Sequence, residues 1–253
     1  MTTSPTLLVA THKPYWMPAD PAYLPLHVGA EGEDVIDGFQ RDDEGENISR
    51  LNPHFCELTG VYWAWKNLQA DFIGLVHYRR YFAVRVHGHK KGRIATGDDL
   101  RAALAKAPIV LPTERNYYIE TNRSQYVHAH HEIDLDMTRR IIEEKYPDYL
   151  EAYDASMART HGHRFNMFVM RRDYFDQYCQ WLFDILFELE RRLDISEYSA
   201  YDQRVFGFIS ERLLDPWIET NGIAYTQMPV VNLENQHWGR KILTFLKRKI
   251  GVT

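Results

Sequence analysis

The sequence predicts an α/β architecture with a mostly parallel central sheet flanked by helices, and three observations predict it. Continuous apolar runs at residues 6–10 (TLLVA), 72–76 (FIGLV), 108–111 (PIVL) and 165–170 (FNMFVM) have the length of strands buried on both faces. Helical patterns lie between these runs, so strand and helix alternate as they do around a parallel sheet. Polar or basic residues follow the strands at once, and ligands of open α/β sheets sit just beyond the carboxyl ends of such strands.

The 253 residues are enough for one sizeable domain, and a net charge of -5 gives no general attraction to nucleic acid. Basic residues are clustered instead, at Arg79-Arg80, Lys90-Lys91, Arg171-Arg172 and near the C-terminus. The two cysteines, Cys56 and Cys179, sit in apolar helical contexts and suit a reducing compartment. The N-terminal stretch lacks the basic start of a secretion signal, and no run approaches the roughly 20 apolar residues of a membrane span. A cytoplasmic location is expected.

Taken in order, the strand at 6–10 opens into Thr11-His12-Lys13-Pro14, as nucleotide-binding domains commonly begin. Neither GxGxxG nor GxxxxGK[ST] is present. Residues 15–50, rich in Pro, Gly, Asp and Glu, read as loop with one short strand over 23–28. Asn52 as N-cap and Pro53 at the first helical position start a helix that carries Glu57, Tyr62, Trp63, Trp65 and Lys66. Its rings are assigned either to a pocket or to core packing. The strand at 72–76 then ends in His77-Tyr78-Arg79-Arg80, where two guanidinium groups read as anion receptors.

Residues 82–97 are polar and basic, a flexible segment expected over the site, and 98–107 form a helix. Residues 117–136 (YYIETNRSQYVHAHHEIDLD) are the most polar aromatic stretch, followed by helices over 138–146 and 148–157. The strand at 165–170 leads into an amphipathic helix over 174–193 whose apolar face is core. A last helix over 202–214 has Asp202, Gln203 and Arg204 in its first turn, where Asp202 also reads as a cap.

His128, His130 and His131 with Glu132, Asp134 and Asp136 crowd one segment, and His161 and His163 form a second HxH, but neither fits HExxH or CxxC spacing. Solvated polar loop is the better reading of both. No GxSxG elbow occurs.

Several stretches together resemble a bacterial family catalogued as a domain of unknown function, which occurs in capsular-polysaccharide, exopolysaccharide and lipopolysaccharide O-antigen glycosyltransferases. They are VATHK at 9–13, NISRLNPHFCELTGVYWAWKN at 47–67, GLVHYRRYF at 74–82, HEIDLD at 131–136, NMFVMRRDYFDQYCQWLFDIL at 166–186 and RVFGFISERLL at 204–214. The resemblance implies a single GT-A-like (Rossmann-like) domain over residues 1–236. It also implies transfer of a hexose, galactose first, from UDP-galactose or UDP-glucose to a glycan or lipid-linked glycan acceptor in surface polysaccharide synthesis.

In such enzymes a mid-domain strand ends in an Asp-x-Asp that binds Mn2+ or Mg2+. Here the corresponding strand ends in His77-Tyr78-Arg79. No metal ligand is therefore assigned, and Arg79 and Arg80 are expected to neutralise the leaving diphosphate. If transfer inverts the anomeric centre, Asp202 is the first candidate for the base, with Glu132 and Asp134 as alternates and Glu211 a buried partner for Arg204 or another core charge. If transfer retains it, Asp202 binds sugar hydroxyls. By position along the chain, His12 and Lys13 lie beside the nucleotide, Trp65, Lys66 and His77 line the same cleft, and Asn166 contacts the donor sugar.

Residues 237–253 (HWGRKILTFLKRKIGVT) read as a basic amphipathic helix that either rests on an anionic membrane surface, at the inner face of the cell membrane, or docks on the domain. Two other functions compete with transfer: a non-catalytic carbohydrate- or nucleotide-binding module, and a metal-dependent hydrolase built on the histidine-acid segment.

Overall fold

The computed structural model describes residues 5–234. β1 (Thr6–Thr11) is apolar between its end threonines, and successive side chains turn to opposite faces. Leu8 and Ala10 enter the larger core, Leu7 and Val9 the smaller one. β2 (Tyr23–His27) pairs parallel with β1, Leu7 opposite Tyr23, and β3 (Gln40–Arg41) continues the sheet on that side. The chain returns through α1 (Asn52–Phe55) and α2 (Leu58–Asn67) to the other side of β1 as β4 (Phe72–His77), again parallel. The sheet thus grows from β1 first one way and then the other. That makes the carboxyl ends of β1 and β4 a topological switch point, where the flanking loops part and leave a crevice.

β5 (Arg80–Phe82) folds back antiparallel on the end of β4. α3 (Gly97–Leu104), started by a capping box between Thr96 and Asp99, covers the smaller core, and β6 (Ile109–Pro112) follows. An excursion then runs through β7 (Arg115–Asn116), α4 (Asn122–Val127), α5 (Glu132–Lys145), α6 (Leu150–Ala158) and β8 (His161–Gly162), with β7 and β8 paired as a separate ribbon. β9 (Phe168–Arg171) re-enters between β4 and β6, antiparallel to both.

α7 (Arg172–Arg192), α8 (Val205–Ser210) and α9 (Leu214–Thr220) pack on the larger core. β10 (Tyr225–Met228) then joins β6 in parallel, and β11 (Val230–Asn232) joins β5. The strand order is β10-β6-β9-β4-β1-β2-β3, with β5 and β11 attached at β4. Close packing fixes two glycines: a Cβ at Gly60 of α2 would lie 2.6 Å from Leu26 Cδ2, and one at Gly74 of β4 would lie 2.8 Å from the Phe168 carbonyl oxygen. No helix among the described residues is long and apolar enough to cross a membrane.

The sheet is mostly parallel as expected, and β9 and the short β5 are the exceptions. An apolar run does not carry the direction of its strand; the preceding connection does. The helix expected from Asn52 onward is broken at Cys56, and Asn52 caps neither piece: its Nδ2 donates to the Cys56 carbonyl at 2.7 Å and to Thr59 Oγ1 at 3.2 Å. Residues 117–136 are not extended loop but carry α4 and the start of α5. Thr121 caps α4, which buries Tyr126, and Leu135, Thr138, Ile141 and Ile142 form the buried face of α5 at helical spacing.

The strand expected from Phe165 starts only at Phe168, and the helix expected over 202–214 divides into a 3-10 turn (Asp202–Arg204), α8 and α9. The segment 82–97 does not cover the cleft described below: Ala83 bridges Ile94, and Lys91 stacks 4.2 Å above the Trp16 ring. The basic helix expected over 237–253 lies outside the described residues.

A buried charge cluster ties β8 to α9. Asp215 accepts from His163 Nδ1 at 2.5 Å and from the His163 backbone N–H at 3.0 Å, and Arg164 Nη1 lies 3.5 Å away. Burial opposes the Asp215 charge, but the His163 hydrogen bonds and the Arg164 charge outweigh it and hold the carboxyl below the usual carboxylate range. A depressed folded value means stability that is present above the unfolded pKa of about 3.9 and lost as pH falls through the lower folded value. Asp215→Ala, which leaves His163 and Arg164 buried without their partner, is expected to lose about 3–5 kcal/mol in urea unfolding at pH 7. The variant's stability should also fall less steeply than the wild type's below about pH 4.

Candidate active site

At the carboxyl ends of β1 and β4 lies a cleft of about 500 Å³, a volume typical of small-molecule sites. Thr11 and His12 reach it from the end of β1, His77 from the end of β4, Arg79 and Arg80 from the turn into β5, and Arg204 and Glu211 from either side of α8. Asn52, Cys56 and Glu57 form the wall between α1 and α2.

Two strained turns face each other here. Cys56, at φ 53° and ψ -132°, holds a backbone conformation that favours glycine, and this break sets Glu57 into the wall. Phe165 (φ 80°) and Asn166 (φ 54°) are consecutive left-handed residues before β9. Three of the four non-glycine residues with positive φ among those described therefore belong to this one site, Tyr118 being the fourth.

Their surroundings hold them. His77 Nε2 donates to the Phe165 carbonyl at 2.6 Å, and the Arg80 guanidinium lies 3.9 Å from the Phe165 ring centre. Asn166 Nδ2 donates to Glu57 Oε1 at 2.8 Å and to the Gly207 carbonyl at 3.1 Å, while its Oδ1 accepts from Ser210 Oγ at 2.8 Å. Gly207 lets α8 pack closely on the break at Cys56, since a Cβ there would stand 3.1 Å from Cys56 Sγ.

The electrostatics are those of an anion receptor edged by carboxylates. Arg80 is half-buried, and beyond its ring contact its guanidinium has no hydrogen bond or ion pair among the described residues. Burial, and then the charge of Arg79, pull Arg80 below the ordinary guanidinium range, against the pull of Glu211 and Glu57. Arg79 is exposed and paired with Glu234 at 3.0 Å. Arg204 Nε points at Cys56 Sγ, 3.2 Å away. His12 is lowered by burial and then by Lys13, Arg79 and Arg204, so these cations share one field.

Four of the donor-binding residues expected from sequence line the cleft: His12, His77, Arg79 and Arg80. Asn166 stands behind them, bonded to Glu57. Lys13 sits near the cleft with its ammonium 5.5 Å from the Tyr78 ring centre, outside the lining. Trp65 and Lys66 are elsewhere. Trp65 stacks on Phe183 of α7, and Lys66 lies 3.5 Å over Trp65 and 3.6 Å from Glu46, because that face of α2 is turned toward α7.

None of the three candidate catalytic carboxylates lines the cleft. Glu132 is exposed and pairs with Arg123 at 2.8 Å. Asp134 is buried and accepts from the hydroxyls of Tyr126 at 2.8 Å and Tyr198 at 2.7 Å, which fastens α5 to its neighbours. Asp202 accepts from Ser199 Oγ at 2.7 Å and lies 3.2 Å from His130 Nδ1; its chain neighbours Ala200 and Arg204 reach the cleft, but it does not.

The carboxylates that do are Glu57 and Glu211. Nothing in the residue pattern separated Glu57 from a helix-surface acid, because the break at Cys56 comes from tertiary contacts. Glu211, expected as a core charge, is partly exposed with Oε2 3.3 Å from Arg212 Nη1.

No group of three or more His, Cys, Asp or Glu among the described residues could hold a metal ion. The histidines of the polar segments instead take separate acids: His128 with Glu120 at 2.7 Å, His161 with Glu114 at 3.0 Å and His163 with Asp215. In the cleft, Glu57 and Glu211 stand among guanidinium groups.

Switch-point cleft, sheet order and helical layers define a GT-A-like α/β fold. Within that class, the chain belongs to the family described as a domain of unknown function, DUF4422, which matches residues 6–222. Among solved structures it is similar to the apo form of the bifunctional glycosyltransferase WbbM, with a TM-score of 0.83 and 29% identity. The match covers 92% of this chain and 46% of that one, so the chain spans about half the length of WbbM. No curated protein matches the chain significantly.

If the cations share the cleft as the geometry has it, Arg204→Gln removes positive charge near His12 and its pKa rises. Pyrophosphate bound in the wild-type cleft raises it as well. Both shifts are readable from the imidazole resonances in an NMR titration, and a His12 midpoint that ignores Arg204→Gln would contradict a shared field.

Proposed function

We propose that the chain is a glycosyltransferase that moves a hexose, galactose first, from a UDP-sugar to a glycan or lipid-linked glycan in bacterial surface polysaccharide synthesis. The observation that carries this reading is Arg80, a half-buried guanidinium without an ionic partner among the described residues, set with His12, Arg79 and Arg204 around the switch-point cleft. A sugar nucleotide leaves behind a diphosphate, and the departing oxygen gains negative charge as the glycosidic carbon is attacked. Fixed guanidinium groups stabilise that charge without reorganising, the service a divalent ion gives elsewhere.

His12, which lines the cleft, is proposed to lie beside the nucleotide of the donor. The likeness to WbbM, itself described as a glycosyltransferase, and the family membership support the class of reaction; galactose, UDP and the acceptor rest on the family resemblance. The basic stretch at 237–253 is proposed to hold the enzyme at the inner face of the membrane, where a lipid-linked acceptor is found.

The test is a turnover screen of the full chain against UDP-, GDP-, dTDP- and CMP-sugars with and without EDTA. Turnover selective for UDP-sugars that survives EDTA is expected. Arg80→Ala is expected to reduce kcat/KM by about 10- to 150-fold, the worth of one charge-assisted hydrogen bond of about 1.5–3 kcal/mol. Arg79→Ala should lose less, since Arg79 is exposed and already paired with Glu234. Activity abolished by EDTA and restored by Mn2+ would overturn the arginine assignment; no turnover of any nucleotide sugar would move the chain to a binding module.

A further inference from the structure

The two carboxylates of the cleft differ in their surroundings. Glu211 is engaged by cations: its Oε2 lies 3.3 Å from Arg212 Nη1, and it is the opposite charge that Arg80 feels most strongly. Glu57 accepts one neutral hydrogen bond, from Asn166 Nδ2 to Oε1 at 2.8 Å, and its Oε2 has no hydrogen-bond partner among the described residues. The side chain is 14% exposed and forms part of the cleft wall.

The nearest alternative proton acceptor is disqualified at the atom that faces Glu57. His77 Nε2 is 4.0 Å from Glu57 Oε1 and 2.6 Å from the Phe165 carbonyl, and a carbonyl only accepts, so Nε2 carries a hydrogen. The two strained turns, at Cys56 and at Phe165-Asn166, meet through the Glu57–Asn166 bond. Strain of this kind persists where the surroundings over-determine a geometry, and here the geometry it fixes is that of Glu57.

We propose that Glu57 is the catalytic base of the transfer, with Asn166 its positioning residue; this rests on the glycosyltransferase reading above. The acceptor O–H bond breaks and its proton goes to Glu57 Oε2. The freed electron pair on the acceptor oxygen forms the new bond to the anomeric carbon. The bond from that carbon to the diphosphate oxygen breaks, and its electron pair leaves with the diphosphate toward Arg80. Attack and departure are on opposite sides of the carbon, so the anomeric configuration inverts. Glu57 then returns its proton to solvent.

The experiment assays full-length variants with UDP-galactose and UDP-glucose. Glu57→Gln, which keeps an oxygen for Asn166, is expected to lower kcat at least about 100-fold, the scale of general-base catalysis, while UDP affinity by calorimetry stays within about threefold. Asn166→Asp sets a second carboxylate against Glu57 and moves the acidic limb of the kcat/KM pH profile to higher pH. A merely structural Asn166 would lower activity without moving that limb. The product anomer, read by NMR, should be inverted.

A Glu57→Gln enzyme that keeps more than about a tenth of kcat overturns the assignment and leaves glycosyl transfer standing, as does a product of retained configuration. Full loss in Asp202→Asn with Glu57→Gln active overturns it in favour of Asp202. A wild type that turns over no nucleotide sugar overturns glycosyl transfer itself, and the assignment with it.

Discussion

The hydrogen bond from Asn166 Nδ2 to Glu57 Oε1 joins two segments more than a hundred residues apart, and it ties two stretches of strained backbone together: Asn166 is itself left-handed, and Glu57 directly follows the break at Cys56. On one side Cys56 interrupts what would otherwise be a single helix; on the other Phe165 and Asn166 delay the start of β9. Neither conformation is stable alone for a residue with a side chain. His77, Arg80, Gly207 and Ser210 each contribute a contact that holds Phe165 or Asn166, and the first three of them also line the cleft.

That arrangement resolves an apparent mismatch of charge. The chain is acidic overall, at -5, yet His12, Arg79, Arg80 and Arg204 converge on one crevice with, among the described residues, only the carboxylates of Glu57 and Glu211 opposite. Net charge governs solubility and long-range encounter, whereas recognition depends on the local field in a crevice of low dielectric. Arg80 illustrates the difference. Its burial disfavours the charge it carries, and an anionic ligand would add to the partial relief that Glu211 and Glu57 give.

The site lies where the topology puts it. β1 has neighbours that leave in opposite directions, and the loops at its carboxyl end must part. The excursion from β7 to β8 adds α4, α5 and α6, whose Asp134 and Glu132 bond to Tyr126, Tyr198 and Arg123, while Asp202 accepts from Ser199 in the turn before α8. The match to about half of WbbM's length is consistent with a unit that carries its own core and its own cleft.

Sequence alone determined the elements with strong one-dimensional signatures. Both-face burial demands unbroken apolar runs, so β1, β4 and β6 were legible, and the His77-Arg80 cluster at the end of β4 marked the cleft. The long helix after residue 171 was legible by its period. Tertiary structure decided the rest. The face of α2 that carries Trp65 and Lys66 turned to α7, since burial against Phe183 outweighed any role in the cleft. Asp202, Glu132 and Asp134 found partners outside it, and Glu57 was brought to it by a backbone break that no local preference predicts. Which acid faces a ligand depends on contacts between distant segments, and residue order along the chain does not encode those contacts one position at a time.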